Sequence, residues 1–239
     1  MFIHYIIVNI MDNIYNTMII NNLKKINDNG FNYDSNLICD TDKRYCYAIF
    51  SIPNKSHFNP IFYELQNLLG QEQNGITYYI NNKNFVSSGT FHFTFMQQLK
   101  FDAYYDLPKE KYNKCYDILL KVLYKHLPFT IHYNRLIVVT NGLVLCGESS
   151  KDINKIRDEY RYECKINNIP LIEPYHLDII HSTLFRFTNK EHTNFLNKYE
   201  KYFNKVIDFG YITIDHFNIG KATWKVNLNE ISIDNIINI

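Results

Sequence analysis

Two short stretches of this chain hold residues that could do chemistry together. Thr90-Phe91-His92-Phe93-Thr94-Phe95 and Ile179-Ile180-His181-Ser182-Thr183-Leu184 each carry a histidine, one intervening residue, a threonine and then an apolar residue. Both runs are otherwise apolar, as a buried strand would be. In a strand, residues i and i+2 face the same side, so each run projects an imidazole and a hydroxyl next to each other. Two such strands brought together would line one cleft with two imidazoles and two hydroxyls. A neutral imidazole can take the proton from an oxygen attacking a phosphodiester, and an imidazolium can protonate the leaving oxygen. Both forms are accessible near neutral pH. The threonine hydroxyls can donate to non-bridging phosphate oxygens, where negative charge builds in the transition state. One H-x-T tripeptide alone reads as chance. Two copies in matching contexts, a domain's length apart, do not.

The elements that must position these residues are mixed. A strand of about Tyr45 to Ile52 ends at Pro53, and apolar spacing from Asn59 to Leu69 predicts a helix stopped by Gly70. Short strands are expected at Ile76 to Ile80 and, after Ser87-Ser88-Gly89, at Thr90 to Met96. Pro108 opens a helix to His126, with Cys115, Leu119 and Leu123 on its apolar side. Phe129 to Thr140 and Leu143 to Cys146 form a hairpin at Asn141-Gly142. A helix follows from about Asp152 to Asn167, then a strand over Leu177 to Phe187 and a helix over Lys190 to Asn204. Two more strands are expected, Tyr211 to Phe217 and Ala222 to Leu228. Strands and helices do not strictly alternate, so the class is α+β. No Pro/Ser/Gly linker divides residues 45–239, which read as one domain behind an N-terminal extension of residues 1–44. The extension reads as a short strand from Phe2 to Ile10, a helix from about Asn13 to Ile26 and a turn-rich Asn27-Asp28-Asn29-Gly30.

Composition narrows the partners. The formal net charge is +1 and no long basic run occurs. Neutralising phosphates with Lys and Arg supplies most affinity for long nucleic acid, so a long duplex is a poor partner. A small nucleotide or a short single strand fits better. With 46% apolar and 21% charged residues the chain reads as a soluble globular protein, and as a monomer. The apolar start lacks a basic n-region and a cleavage site, and is too short to span a bilayer. The five cysteines (Cys39, Cys46, Cys115, Cys146, Cys164) form no C-x-x-C or Cys/His cluster, so no metal site is expected. They read as reduced, buried residues of a cytoplasmic protein.

The paired motifs His92-x-Thr94-Phe95 and His181-x-Thr183-Leu184 resemble the signature of the two-histidine (2H) phosphoesterase superfamily. That superfamily includes RNA 2′,3′-cyclic phosphodiesterases, 2′,5′-oligoadenylate phosphodiesterases, U6-snRNA trimming enzymes and viral enzymes that destroy cyclic or oligonucleotide signals. The resemblance covers roughly Tyr45 to Leu228, and its specific part is the two tetrapeptides. It implies a bilobal fold in which two pseudo-symmetric lobes of antiparallel sheet, with flanking helices, each supply one motif to a central cleft. It also implies catalysis without metal or other cofactor, with His92 and His181 as acid and base and Thr94 and Thr183 binding phosphate. The Asn141-Gly142 hairpin reads as an element added to that plan.

Other polar residues rank below these. By strict alternation His176, Asp178 and Arg186 fall on the strand face opposite His181. His57, His126, His132, His192 and His216 have no patterned partners, and Tyr45 and Tyr47 read as core rather than base-stacking residues. Ser87-Ser88-Gly89 lacks the pattern of a phosphate-binding loop. The expected function is therefore a phosphodiesterase acting on a small nucleotide or oligonucleotide. Two alternatives stay open: a non-catalytic nucleotide- or RNA-binding module using the same cleft, and an interaction protein whose motifs coincide by chance. The last requires the two histidines to lie far apart.

Overall fold

The computed structural model describes residues 2–32, 45–53, 55–70, 75–77, 91–97, 108–171, 173, 176–187, 200–203, 205–223 and 232–238. Among these, ten strands form two antiparallel sheets. The strands are β1 (Tyr45–Ser51), β2 (Lys55–Phe58), β3 (Gly75–Thr77), β4 (Phe93–Gln97), β5 (Phe129–Val139), β6 (Gly142–Ser149), β7 (His181–Phe187), β8 (Gly210–Ile214), β9 (His216–Thr223) and β10 (Ser232–Asn238). The four-stranded sheet has the order β10-β9-β1-β4, and the six-stranded sheet β2-β8-β5-β6-β7-β3. The helices are α1 (Phe2–Asn29), α2 (Pro60–Gly70), α3 (Lys109–Leu123) and α4 (Ile153–Ile166). The class is α+β, as expected. Each sheet carries one H-x-T motif, at β4 and at β7.

Both sheets contribute to one large core. Phe93 and Phe95 of β4, Ile131 and Tyr133 of β5, Leu145 of β6 and Phe185 of β7 are all fully buried in it. The ring of Phe95 meets Tyr160 of α4 and Phe217 of β9, and that of Phe93 meets Phe129 of β5. Helix α4 begins at Asp152, whose carboxylate accepts from the Lys155 N–H at 3.0 Å and satisfies a donor of the first turn. Its partner α3 is tied to it by Cys115 Sγ and the Tyr160 hydroxyl, 2.8 Å apart, and by Lys121 on Glu163.

Several expectations need correction. The Phe2 to Ile10 run is helical, part of one helix that continues to Asn29. No Gly or Pro interrupts it, and extending an existing helix adds one hydrogen bond per residue ordered. Gly30 ends it, with φ +73° and its N–H on the Ile26 carbonyl at 2.7 Å. The helix is tied to the six-stranded sheet. Tyr15 is buried in the core, donates to the Gly147 carbonyl at 2.7 Å and accepts from the Ile180 N–H at 3.2 Å, one residue before His181. The Thr140 N–H, at the hairpin tip, donates to Asn22 Oδ1 at 3.2 Å.

The Asn141-Gly142 hairpin is no addition: β5 and β6 are the two middle strands of the six-stranded sheet. A Cβ at Gly142 would stand 2.0 Å from the Phe185 carbonyl oxygen, so the glycine lets β7 pair closely there. The single strand expected over Tyr211 to Phe217 is two, broken at Asp215, where the chain passes from the six-stranded sheet to the four-stranded one. The apolar positions change phase there, from Ile212 and Ile214 to Phe217 and Ile219, a shift that one strand read straight through overlooks. The Asn/Ile-rich tail, not expected as a strand, is β10 and pairs with β9. Of the helix expected over Lys190 to Asn204, residues 190–199 and 204 lie outside the described residues, and Glu200–Tyr202 is a 3-10 turn. Parts of the strands expected at Ile76 to Ile80 and Ala222 to Leu228 also lie outside them. Among the described residues no helix is long and apolar enough to cross a membrane.

Candidate functional site

Strand β4 forms because Phe93, Phe95 and Met96 are all drawn fully into the core. His92, immediately before the strand, and Thr94 are half-buried on its other face. The pairing with β1 fixes that face. Thr94 pairs with Phe50 and Gln97 with Ala48, whereas Phe93 and Met96 pair with Ser51 and Ile49. The ring of Phe50 meets the His92 imidazole edge-on at 6.4 Å. Two residues of β1, Ile49 and Phe50, span three of β4, so Phe95 is a bulge. Beyond it, alternation resets and Gln97 rejoins the face of His92 and Thr94.

Strand β7 repeats the device. His181 pairs with Cys146, Thr183 with Val144 and Arg186 with Gly142, alternate residues of one strand that share a face. Ser182 and Phe185 pair with Leu145 and Leu143 on the opposite face. Leu184 is the extra residue. Arg186 is therefore on the face of His181 and Thr183, contrary to strict alternation from the sequence. A bulge after the H-x-T tripeptide in each sheet returns the third residue beyond the threonine, Gln97 or Arg186, to the motif's face.

The two motifs are joined through their backbones. The Ser182 hydroxyl donates to the His92 carbonyl at 2.7 Å and lies 2.6 Å from the Tyr133 hydroxyl, which donates to it. Arg157 of α4, fully buried, reaches both strands at once. Its Nε donates to the Phe95 carbonyl at 2.8 Å, and one terminal nitrogen to the Thr94 carbonyl at 3.3 Å. The other terminal nitrogen donates to the Ile179 carbonyl and to Asn154 Oδ1, both at 3.0 Å. Ser182 thus meets His92 while Ile179, through Arg157, meets Thr94 and Phe95. The two motif segments run past each other in opposite directions.

Electrostatics set His181 apart from an imidazole in water. His181 is half-buried, but its Nδ1 is shut off from solvent and has no hydrogen-bond partner. Its pKa is pushed down to about 3, first by desolvation and then by the charges of Arg157, Arg186 and His92. It is neutral at physiological pH. Arg157 is itself pushed down to about 10, chiefly by burial and then by Arg161, and remains a cation.

The structure brings His92, Thr94, His181 and Thr183 onto two strands that touch, and adds Arg186, Gln97, Ser182, Tyr133 and Arg157. A signal for Arg157 exists in the sequence. It sits within the stripe Ile153, Ile156, Tyr160, Cys164 of α4, where a charge needs a buried partner. His176 and Asp178 are exposed and precede β7, so alternation along the strand never applied to them. Tyr47 is buried on the core side of β1, whereas the Tyr45 side chain and His192 lie outside the described residues. His132 pairs with Asp208 and His216 with Asp215, both at 2.7 Å, and His126 lies 3.6 Å from Glu159. Cys115, Cys146 and Cys164 are buried thiols outside any disulfide, and among the described residues no group of three His, Cys, Asp or Glu side chains could hold a metal.

No family model and no curated protein matches the chain. Among solved structures it is similar to E. coli LigT complexed with 3′-AMP, with 9% identity and a TM-score of 0.49 over 82% of this chain and 99% of that one. For E. coli LigT complexed with NADP+ the identity is 10% and the TM-score 0.46, over the same shares. TT0787 of Thermus thermophilus gives 11% and 0.43, over 82% of this chain and 97% of that one.

Proposed function

We propose that the chain is a phosphodiesterase of the two-histidine type, acting without a metal on a small nucleotide or oligonucleotide diester. The observation that carries this is the joining of the two H-x-T strands by Ser182 on His92 and by Arg157 on Thr94, Phe95 and Ile179. Side chains that coincided by chance would have no reason to be bridged in this way.

In this reading His181 is the general base of the hydrolytic step. Burial and the flanking guanidinium groups keep its imidazole unprotonated, ready to take the proton of the attacking water. As the water oxygen bonds to phosphorus, the bond to the leaving ester oxygen breaks, and His92 delivers a proton to that oxygen. Thr94 and Thr183 donate to the non-bridging oxygens. Arg186, on the face of Thr183, offers them a cation as well. Each histidine ends with the other's initial charge, and proton exchange with solvent resets the pair.

The test is turnover, in excess EDTA, of nucleoside 2′,3′-cyclic phosphates, 2′,5′- and 3′,5′-linked oligonucleotides and cyclic dinucleotides. Hydrolysis of at least one class, undiminished by the chelator, is expected. Binding without turnover would make the chain a recognition module instead. Activity lost to EDTA and restored by a divalent ion would replace His/His catalysis with metal-assisted hydrolysis.

A further inference from the structure

The bulge at Phe95 has placed a side chain in the site that the phosphodiester chemistry does not use. Gln97 shares the face of His92 and Thr94, through its pairing with Ala48 beside Phe50 and Thr94. Its amide nitrogen Nε2 is closed off from solvent and has no hydrogen-bond partner. A buried donor left unpaired is costly, and such groups normally have a protein, water or ligand partner.

Position says what kind of partner fits. Because β4 and the Ile179–Ser182 segment run in opposite directions, the polar side chains fall in sequence along the site. Gln97 is at one end, then Thr94, the histidines, Thr183, and Arg186 at the other end. Gln97 is displaced from His92 by roughly 13 Å along the strand at about 3.3 Å per residue, one residue being taken up by the bulge. A phosphate held between the histidines cannot reach that far with its own oxygens. The partner of Gln97 belongs to whatever is esterified to the phosphate on that side.

Chemistry narrows it further. A primary amide carries no charge and offers both donors and an acceptor, which suits a neutral group with hydrogen-bonding edges and gains nothing special from a second phosphate. Arg186 at the opposite end has the reverse preference. Resting on the phosphodiesterase reading above, we propose that Gln97 is a specificity-determining residue. It hydrogen-bonds the base or sugar of a nucleoside on the β4 side of the scissile phosphate, so that the site has a neutral, nucleoside-reading end and a cationic end.

The experiment is calorimetric titration of the full chain with inorganic phosphate and with each of the four nucleoside 3′-monophosphates, comparing wild type, Gln97→Leu and Gln97→Met. Both substitutions remove the orphan donor while keeping the volume, so either supplies a folded variant. At least one nucleotide should bind wild type more tightly than phosphate does, and both variants should lose about tenfold of that affinity, the worth of one good hydrogen bond. Phosphate affinity should stay within about twofold. Unchanged nucleotide affinity in both variants, or an equal loss for phosphate, would overturn the assignment. If that happens while wild type still hydrolyses diesters, only the role of Gln97 falls. If wild type binds neither ligand and turns over nothing, the phosphodiesterase reading falls with it.

Discussion

The hydroxyl of Ser182, the middle residue of one H-x-T tripeptide, donates a 2.7 Å hydrogen bond to the carbonyl of His92, the first residue of the other. The side chain that points away from the motif's own face is thus the one that reaches the second motif. Tyr133, in the middle of the six-stranded sheet, holds that hydroxyl in turn at 2.6 Å, and its own phenol is pushed far above the usual range by burial. A buried chain of hydroxyls therefore connects a sheet centre to the backbone of a proposed acid–base residue.

Ser182→Ala should remove the bond to the His92 carbonyl and leave the buried Tyr133 hydroxyl without its acceptor, at a cost of about 1–3 kcal/mol in stability. Tyr133→Phe removes the outer link only and should cost about 1 kcal/mol. Since both act on one chain of bonds, the double variant should lose less than the sum of the two. Urea unfolding of the three variants checks this, and additive losses would show the bonds to be independent. Turnover by Ser182→Ala should fall further than by Tyr133→Phe, because only Ser182 touches His92.

Arg157 invites a sharper test because its charge and its hydrogen bonds can be separated. Arg157→Met would remove the donors to the carbonyls of Thr94, Phe95 and Ile179, and a loss of about 3 kcal/mol is expected in denaturant unfolding. Arg157→Lys keeps the cation but not the fork that spans two strands, so it should recover part of the stability and little of the turnover. Full activity in the lysine variant would mean that the bridging geometry is dispensable.

How much of this can be read from residues alone depends on which interactions specify it. The H-x-T strands are legible because a strand buried on one face alternates with period two, and Phe91 and Phe93 in one motif and Ile180 and Ser182 in the other obey that rule up to the threonines. The bulges at Phe95 and Leu184 are not, since an extra residue in one strand is set by the register of its partner. That is why alternation alone assigns Arg186 to the wrong face and leaves Gln97 unmarked. Helix α1 is half-legible. Gly30 marks its end, but its first ten residues have the composition of a strand, and the tie of Tyr15 to Gly147 and Ile180 spans more than a hundred residues. The tail strand β10 is lost in an Asn/Ile tract whose pairing with β9 no local pattern announces.

The depressed pKa of His181 has consequences for stability as well as for rate. Its folded value, about 3, lies below the ordinary 6.5, so the unfolded chain binds the extra proton first as pH falls. This histidine therefore leaves stability untouched above about pH 6.5 and erodes it progressively as pH drops from there toward 3. The slope from one such group is at most about 1.4 kcal/mol per pH unit. His181→Asn, which cannot take up a proton, should show a shallower loss of stability between pH 6.5 and 4 than wild type, measured by urea unfolding at each pH. Equal slopes would mean that His181 titrates in the folded chain as it does in the unfolded one.

The division of labour between the histidines makes the strictest demand. With His181 as base, kcat/KM should persist well below pH 6.5 on the acid side, and on the alkaline side it should fall as the other member of the pair loses its proton. His92→Ala and His181→Ala should each lower kcat by about two to four orders of magnitude, the range for a positioned acid or base. Both serve one transition state, so His92→Ala/His181→Ala should lose far less than the product of the single losses. Thr94→Ala and Thr183→Ala should cost about ten- to a thousandfold, as hydrogen-bond donors to developing charge rather than proton carriers. The measurement is steady-state kinetics of all five variants across pH on the substrate class that wild type turns over. Near-native turnover by either single histidine variant would exclude paired acid–base catalysis, whatever the proximity of the two strands.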